Sequence, residues 1–353
     1  MKESSRSRQV SLFSGSRAAA SEPAHDDAPA GGHSPVEAAA PDPALIELAS
    51  ALPPGLRLGT SSWSYPGWIG TVWDREYSEA KLARYGLAAY ARHPLFRTVS
   101  LDRGFYRPLT AAQFAVYAAQ VPEDFRFVVK APSLVTDAMV RDESGRGMQA
   151  NPNFLDAPSA LRDFVEPALL GLGSKLGALV FQISPLPPAL LARIPDLVAR
   201  LHALLRAVPD LRGAAPDGVL AVEVRDPQWL VPDFTQALRD AGATYCMGLH
   251  AKMPRIAEQL PILRALWPGP LVCRWNLNPL HGAFGYEKAR RQYAPFDRLV
   301  DPDLETRTAL ARVIGGTVGA GRNAYVTLSN KAEGSAPLSV FALARAIREL
   351  AGN

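Results

Sequence analysis

From Leu56 onward, eight short strand-like runs alternate with helix-like stretches, and this alternation is the strongest constraint on what the chain can fold into. The runs are LRLGTSSW (56–63), RTVSLDRGF (97–105), RFVVKAP (126–132), GALVFQIS (177–184), LAVEVRD (220–226), TYCMGL (244–249), LVCRWNL (271–277) and AYVTLSN (324–330). Segments 78–93, 188–208 and 337–350 carry apolar residues at helical spacing, and 257–267 does so more weakly. A strand that returns parallel to its neighbour needs a long crossover, usually a helix, so the repeated pattern predicts a parallel sheet. Eight such units over about 295 residues predict an α/β fold of the (β/α)8 TIM-barrel type. The alternative is an open doubly wound sheet, but no GxGxxG follows the first strand. The glycine-rich run GGTVGAG (315–321) precedes the last strand, on the face where barrels carry stability rather than phosphate loops.

Composition sets the outer bounds. The chain has 353 residues, 48% hydrophobic and 20% charged, so a large core is feasible and wholesale disorder is excluded. Two cysteines exclude a disulfide scaffold and any Cys-rich zinc module; both fall within strands and read as buried thiols. The first 43 residues are rich in Ala, Pro, Ser and Gly and cannot bury enough apolar surface to offset their ordering entropy. They are predicted to be a disordered tail, with residues 44–353 as one barrel domain. The net charge of +4 is ordinary for a soluble domain, and it splits into −2 on the tail and +6 on the remainder. The apolar cluster Val10–Phe13 is too short for a secretory signal and no run approaches a membrane span, so a cytoplasmic location is expected.

Strand side chains alternate between faces, and six of the runs carry polar groups in their C-terminal halves on one face. Val222 and Val224 belong on the outer face under helices, which turns Glu223 and Arg225 inward. The same parity turns Ser100, Asp102, Lys130, Gln182, Ser184, Arg274, Asn276, Thr327 and Ser329 toward the barrel mouth. A charge that deep costs several kcal/mol unless it is paired. Two readings follow: a network that satisfies itself and serves only the fold, or a ligand site built on that network, as the C-terminal face of this fold favours. In WSYPGWIGTVW, Trp63, Tyr65, Trp68 and Trp73 offer either faces for stacking on sugars or bases, or a hydrophobic lid. Beyond the last strand, Ser335 and Pro337 read as a helix start, with Lys331 nearby to favour an anion.

GTSSWSYPGW (59–68), TVSLDRGFYRP (98–108), FRFVVKAP (125–132), LGALVFQISP (176–185), VEVRDPQW (222–229) and SNKAEGSAP (329–337) occur in this order. Together they resemble the blocks of domain-of-unknown-function family 72, the YecE-like family, over residues 56–350. The resemblance implies a (β/α)8 barrel related to sugar isomerases and brings no defined reaction with it. Glu223, Arg225, Lys130, Gln182, Tyr106, Arg274 and Asn330 match the family pattern. Ser100 stands where the family has Glu, Asp137 and Asp226 where it has His, and Ser329 where it has Asn.

Several reactions fit the residues unequally. A glycosidase needs two carboxylates facing one bond, and Asp102 and Glu223 sit on the second and fifth strands, far round the barrel. A metal site of His250, Glu223 and Asp102 is conceivable, although the barrel region carries few histidines. A Schiff-base lyase would use Lys130, provided Arg225 and Arg274 depress its pKa. The reading with fewest assumptions is a protein, isomerase-like or lyase-type if it is an enzyme, that binds or transforms a small anionic, sugar- or phosphosugar-like ligand at the mouth. In it Glu223, Lys130 and Asp102 are the catalytic candidates. Arg225, Arg274, Asn276, Gln182, Tyr106, Trp63, Trp68, Asn330 and Lys331 are the ligand-binding ones. No metal or other cofactor is called for. The alternative is a non-enzymatic nucleic-acid or protein adaptor that uses the basic surface and the tail.

Overall fold

The structure, a computed structural model, describes residues 35–142 and 145–352. Eight strands close into a parallel barrel: β1 (Leu56–Thr60), β2 (Phe96–Leu101), β3 (Arg126–Lys130), β4 (Leu176–Gln182), β5 (Val219–Glu223), β6 (Thr244–Leu249), β7 (Leu271–Trp275) and β8 (Ala324–Leu328). Each pairs with the next in sequence, and β8 returns to β1 with Thr60 beside Leu328. Every strand begins within a residue of where the sequence pattern puts it, and the alternation of faces holds. A short antiparallel hairpin, Met139–Arg141 with Gly147–Ala150, leaves the barrel after β3.

The longer helices bury an apolar stripe. Ile194–Ala207 turns Ile194, Leu197, Val198, Leu201, Leu204 and Leu205 inward at three- and four-residue spacing. The expected helix over 78–93 is broken at Gly86 into Glu79–Tyr85 and Leu87–Tyr90, and a Cβ at Gly86 would lie 2.6 Å from the Leu82 carbonyl, so the break sits where only glycine fits. Most of the glycine-rich run is helical: Leu304–Gly319 includes its first five residues and ends near Gly321, whose φ of +71° suits a residue without a Cβ.

The barrel interior is layered along its axis. At the N-terminal end Asp217 closes the bottom, accepting from Arg57 at 3.0 Å, Arg126 at 2.9 Å and Asn323 at 3.1 Å, while its carbonyl accepts from Tyr325 Oη at 2.8 Å. Above it lies a dry layer of Val128, Ala178, Val180, Ala221, Cys246, Val272 and Tyr325. The polar layer comes last, at the C-terminal mouth. This order follows from the strands themselves: on β3 the inward positions run Arg126, Val128, Lys130, charged at both ends and apolar between. Both cysteines are buried, Cys246 inside the barrel and Cys273 under the helices.

The tail expectation is corrected at its inner end. Residues 1–34 lie outside the described residues, but residues 36–39 pack against the loop after β1. Val36 is buried, Ala38 bridges Trp73, and the Ala39 N–H donates to the Val72 carbonyl. Helix Pro43–Ser50 then starts under an Asp42 cap. One valine and two backbone bonds against the loop after β1 are enough, and composition averaged over 43 residues hides them. Among the described residues no helix is long and apolar enough to cross a membrane.

Candidate functional site

The mouth is organised around Glu223, at the end of β5, which is 0% exposed. Its Oε1 accepts from Arg225 at 2.7 Å and from Asn276 Nδ2 at 3.2 Å, and its Oε2 accepts from Arg274 at 2.7 Å. Gln182 Oε1 accepts from both arginines, at 2.9 and 3.1 Å. Arg274 also donates to Asp102 Oδ2, while Asp102 Oδ1 accepts from the Ser100 hydroxyl at 2.6 Å. Residues from β2, β4, β5 and β7 therefore meet on one guanidinium. The two carboxylates, expected to be far round the barrel from each other, are joined through Arg274, because a barrel this narrow lets a long side chain reach its centre. Gly248 on β6 makes room: a Cβ there would lie 3.0 Å from Glu223 Oε1.

Charge follows this geometry. Burial works against the Arg274 guanidinium, but Asp102 and Glu223 outweigh it and push its pKa up. Burial also works against the Asp102 carboxylate, yet Arg274 and Lys130 bring its pKa below the ordinary value. Lys130, at the end of β3, goes the other way. Burial lowers it to about 7, with Arg274 and Arg225 adding to the effect and Asp102 and Glu223 opposing it. Its Nζ lies 3.5 Å from the centre of the Phe105 ring. Lys331 is lowered to about 8, mainly by burial.

The remaining candidates divide. Tyr106 is 69% exposed at the mouth, in the turn after β2. Trp63 and Trp68 are only 2% and 1% exposed and present no open face. Trp63 donates to the Leu82 carbonyl at 3.1 Å under the Arg103 guanidinium, and Trp68 donates to Asn330 Oδ1 at 3.2 Å. The loop after β1 is thus a packed lid. Asn330 is buried as well; its Oδ1 caps the last helix at the Ala336 N–H, 2.7 Å away, and its Nδ2 has no partner. Ser335 occupies the N-cap position without a side-chain cap bond. That helix start is already occupied by Asn330, which the sequence reading did not foresee as a cap.

Tyr286 is the mouth residue that sequence reasoning missed. Its hydroxyl accepts from Arg225 at 3.3 Å, its ring lies against His250 with centres 5.2 Å apart, and Lys331 Nζ is 5.9 Å from it. It arrives on the helix Tyr286–Tyr293 beyond the loop after β7, where a helix-forming sequence gave no sign of a site. The conceivable metal site does not assemble. Glu223 is committed to arginines and Asn276, Asp102 to Arg274 and Ser100, and among the described residues no three His, Cys, Asp or Glu side chains could hold a metal ion. His250 Nδ1 accepts from the Lys252 N–H, and burial, with Arg225 and Lys252, pushes its pKa down to about 2. Two of the positions that depart from the resemblance are structural: Asp137 pairs with Arg141 at 2.7 Å, and Asp226 accepts from the Leu186 N–H at 2.8 Å.

The family model described as "Protein of unknown function DUF72" matches residues 57–352, which takes in all eight strands. The chain belongs to the DUF72 family. A crystal structure of a DUF72 protein from Enterococcus faecalis V583 superposes with a TM-score of 0.56 at 18% identity, covering 83% of this chain and 95% of that one. A second crystal structure of the same protein gives 0.51 at 17% identity, covering 84% and 98%. A DUF72 protein from Thermotoga maritima gives 0.48 at 18% identity, covering 84% and 99%. No curated protein matches. The two Enterococcus faecalis superpositions, at 18% and 17% identity, show the fold alone.

Proposed function

We propose that the mouth of this DUF72 barrel binds, and by its fold analogy transforms, a small anionic, sugar-like ligand. One observation carries the reading. The carboxylates of Asp102 and Glu223 and the guanidinium groups of Arg225 and Arg274 neutralise one another, which leaves the Lys130 and Lys331 amines without an ion-pair partner among the described residues. Both amines are partly or wholly desolvated, so a phosphate or carboxylate that reaches them gains more than it would from surface lysines. Tyr106 and Tyr286 supply aromatic surface of the kind that stacks on a sugar ring. Glu223, with both oxygens engaged, orients Arg225 and Arg274 rather than meeting the ligand. Asp102, whose side chain is 35% exposed, is the carboxylate open to it.

Isothermal calorimetry against glucose 6-phosphate, dihydroxyacetone phosphate and gluconate tests the reading, with Lys331→Met as the comparison. Micromolar to millimolar binding that weakens about tenfold in the variant is expected. Binding of none of the three, together with salt-sensitive binding of nucleic acid, would overturn it in favour of an adaptor.

A further inference from the structure

The natural partner of Lys130 stands beside it and is taken by another residue. In the register of β2 with β3, Leu101 lies beside Val129, so Asp102 and Lys130 leave their strands side by side. Asp102 could neutralise the ammonium, but its Oδ2 accepts from Arg274 and its Oδ1 from Ser100. Glu223 is committed to the two arginines. What the lysine has instead is the face of Phe105. A lysine that served only the fold would be paired here, or replaced by an apolar chain, since an unpaired deep charge is costly. An unpaired, desolvated amine beside a carboxylate and next to matched guanidinium groups is the arrangement that makes a lysine nucleophilic.

We propose that Lys130 forms an imine with a small anionic carbonyl compound, an open-chain phosphosugar or a 2-oxo acid. This rests on the ligand reading above and adds a covalent step to it. The Nζ lone pair attacks the carbonyl carbon; a C–N bond forms and the C=O π pair moves to oxygen. One proton passes from nitrogen to that oxygen, giving a carbinolamine. The C–O bond then breaks and water leaves with a second proton taken up at the site, while the nitrogen lone pair closes C=N. Solvent at the open mouth supplies that proton, and Asp102, held ionised against the cost of burial by Arg274 and Lys130, stays a carboxylate. Its negative charge then faces the iminium, and Lys331 remains free for the ligand's phosphate or carboxylate. The lowered pKa of Lys130, about 7, supports the step by leaving a large fraction of the amine uncharged near neutrality.

The test is reductive trapping on the full chain. The protein is incubated with dihydroxyacetone phosphate or with pyruvate and sodium borohydride, and lysine peptides are mapped by mass spectrometry. At least about tenfold more adduct on Lys130 than on any other lysine is expected, with none at that position in Lys130→Met. The two compounds separate a phosphate-reading site from a carboxylate-reading one. Calorimetry with the same compounds, without reductant, runs in parallel. Binding without an adduct overturns the imine and leaves the ligand reading standing; neither binding nor adduct overturns both. Adduct spread evenly over surface lysines also overturns the imine. Should Lys130→Met fail to fold, competitive acetylation of the unaltered protein reads the same residue. A Lys130 titration midpoint near its ordinary value of about 10.4 would refute the proposal.

Discussion

Replacing Glu223 by Gln probes the mouth network most directly. The carboxylate is fully buried and accepts from Arg225 and Arg274 at 2.7 Å each and from Asn276 at 3.2 Å. A Gln side chain keeps the shape but removes the charge and turns one acceptor into an NH2 group, aimed at donors that have nowhere to move. Arg274 would keep Asp102 as its ionic partner, while Arg225 would keep none among the described residues. Removing one member of a buried ion pair typically costs about 3–5 kcal/mol, because the partner stays buried and unmatched. Here Arg225 is stranded and Arg274 loses one of its two carboxylates, so a loss within that range is expected. Against a typical stability of about 5–15 kcal/mol, such a loss should be plain in a guanidinium melt. The companion variant Glu223→Gln/Arg225→Gln should recover part of it, since it removes one stranded charge. A loss below about 1 kcal/mol in Glu223→Gln, or no recovery in the double variant, would show that the mouth is not the mutually dependent network described above.

Gly248→Ala places a methyl 3.0 Å from Glu223 Oε1 and should cost about 1–3 kcal/mol in the same melt by forcing the carboxylate aside. His93 is buried against Phe96 and burial lowers its pKa to about 4, below the unfolded value of about 6.5, so the unfolded chain binds the extra proton. The stability it lends is present above pH 6.5 and lost as pH falls toward 4. A His93→Phe variant should therefore show a flatter stability profile across that window, and an unchanged slope would count against it. At the barrel bottom, burial works against the Asp217 carboxylate, but Arg57, Asn323 and Arg126 bring its pKa below the ordinary value. That contribution is present above the unfolded value near about 3.9 and disappears as pH falls through the folded one. Asp217→Asn should be less stable at pH 7 by about 1.5–3 kcal/mol and nearer to the unaltered protein at pH 3, read by denaturant melts at both pH values.

Much of the mouth was legible because β-strand geometry is local. The parity of Val222 and Val224 against Glu223 and Arg225 needs only the two-residue period, and the interior cluster follows it. What parity leaves open is depth and company. Trp63 and Trp68 read equally as stacking faces or as a lid, and only the contacts with Leu82, Arg103 and Asn330 decide that they form a lid. Asn330 looked like a ligand contact and caps a helix six residues on, a bond set by how the chain turns at Gly334. Tyr286 gave no signal because its side chain enters the mouth from a helix beyond the barrel wall. Lys130 and Asp102 were both foreseen as inward-facing. That they stand side by side yet unpaired depends on Arg274 crossing from the far strand.

The sequence by itself therefore determined the eight strands, their order and which side chains face inward, because hydrophobic period and strand alternation act over a few residues. The tertiary structure alone decided which charges cancel. Barrel closure brings β2, β5 and β7 within reach of one guanidinium, and electrostatic pairing depends on distances between residues 51 and 172 positions apart. The same closure left Lys130 and Lys331 without ionic partners among the described residues.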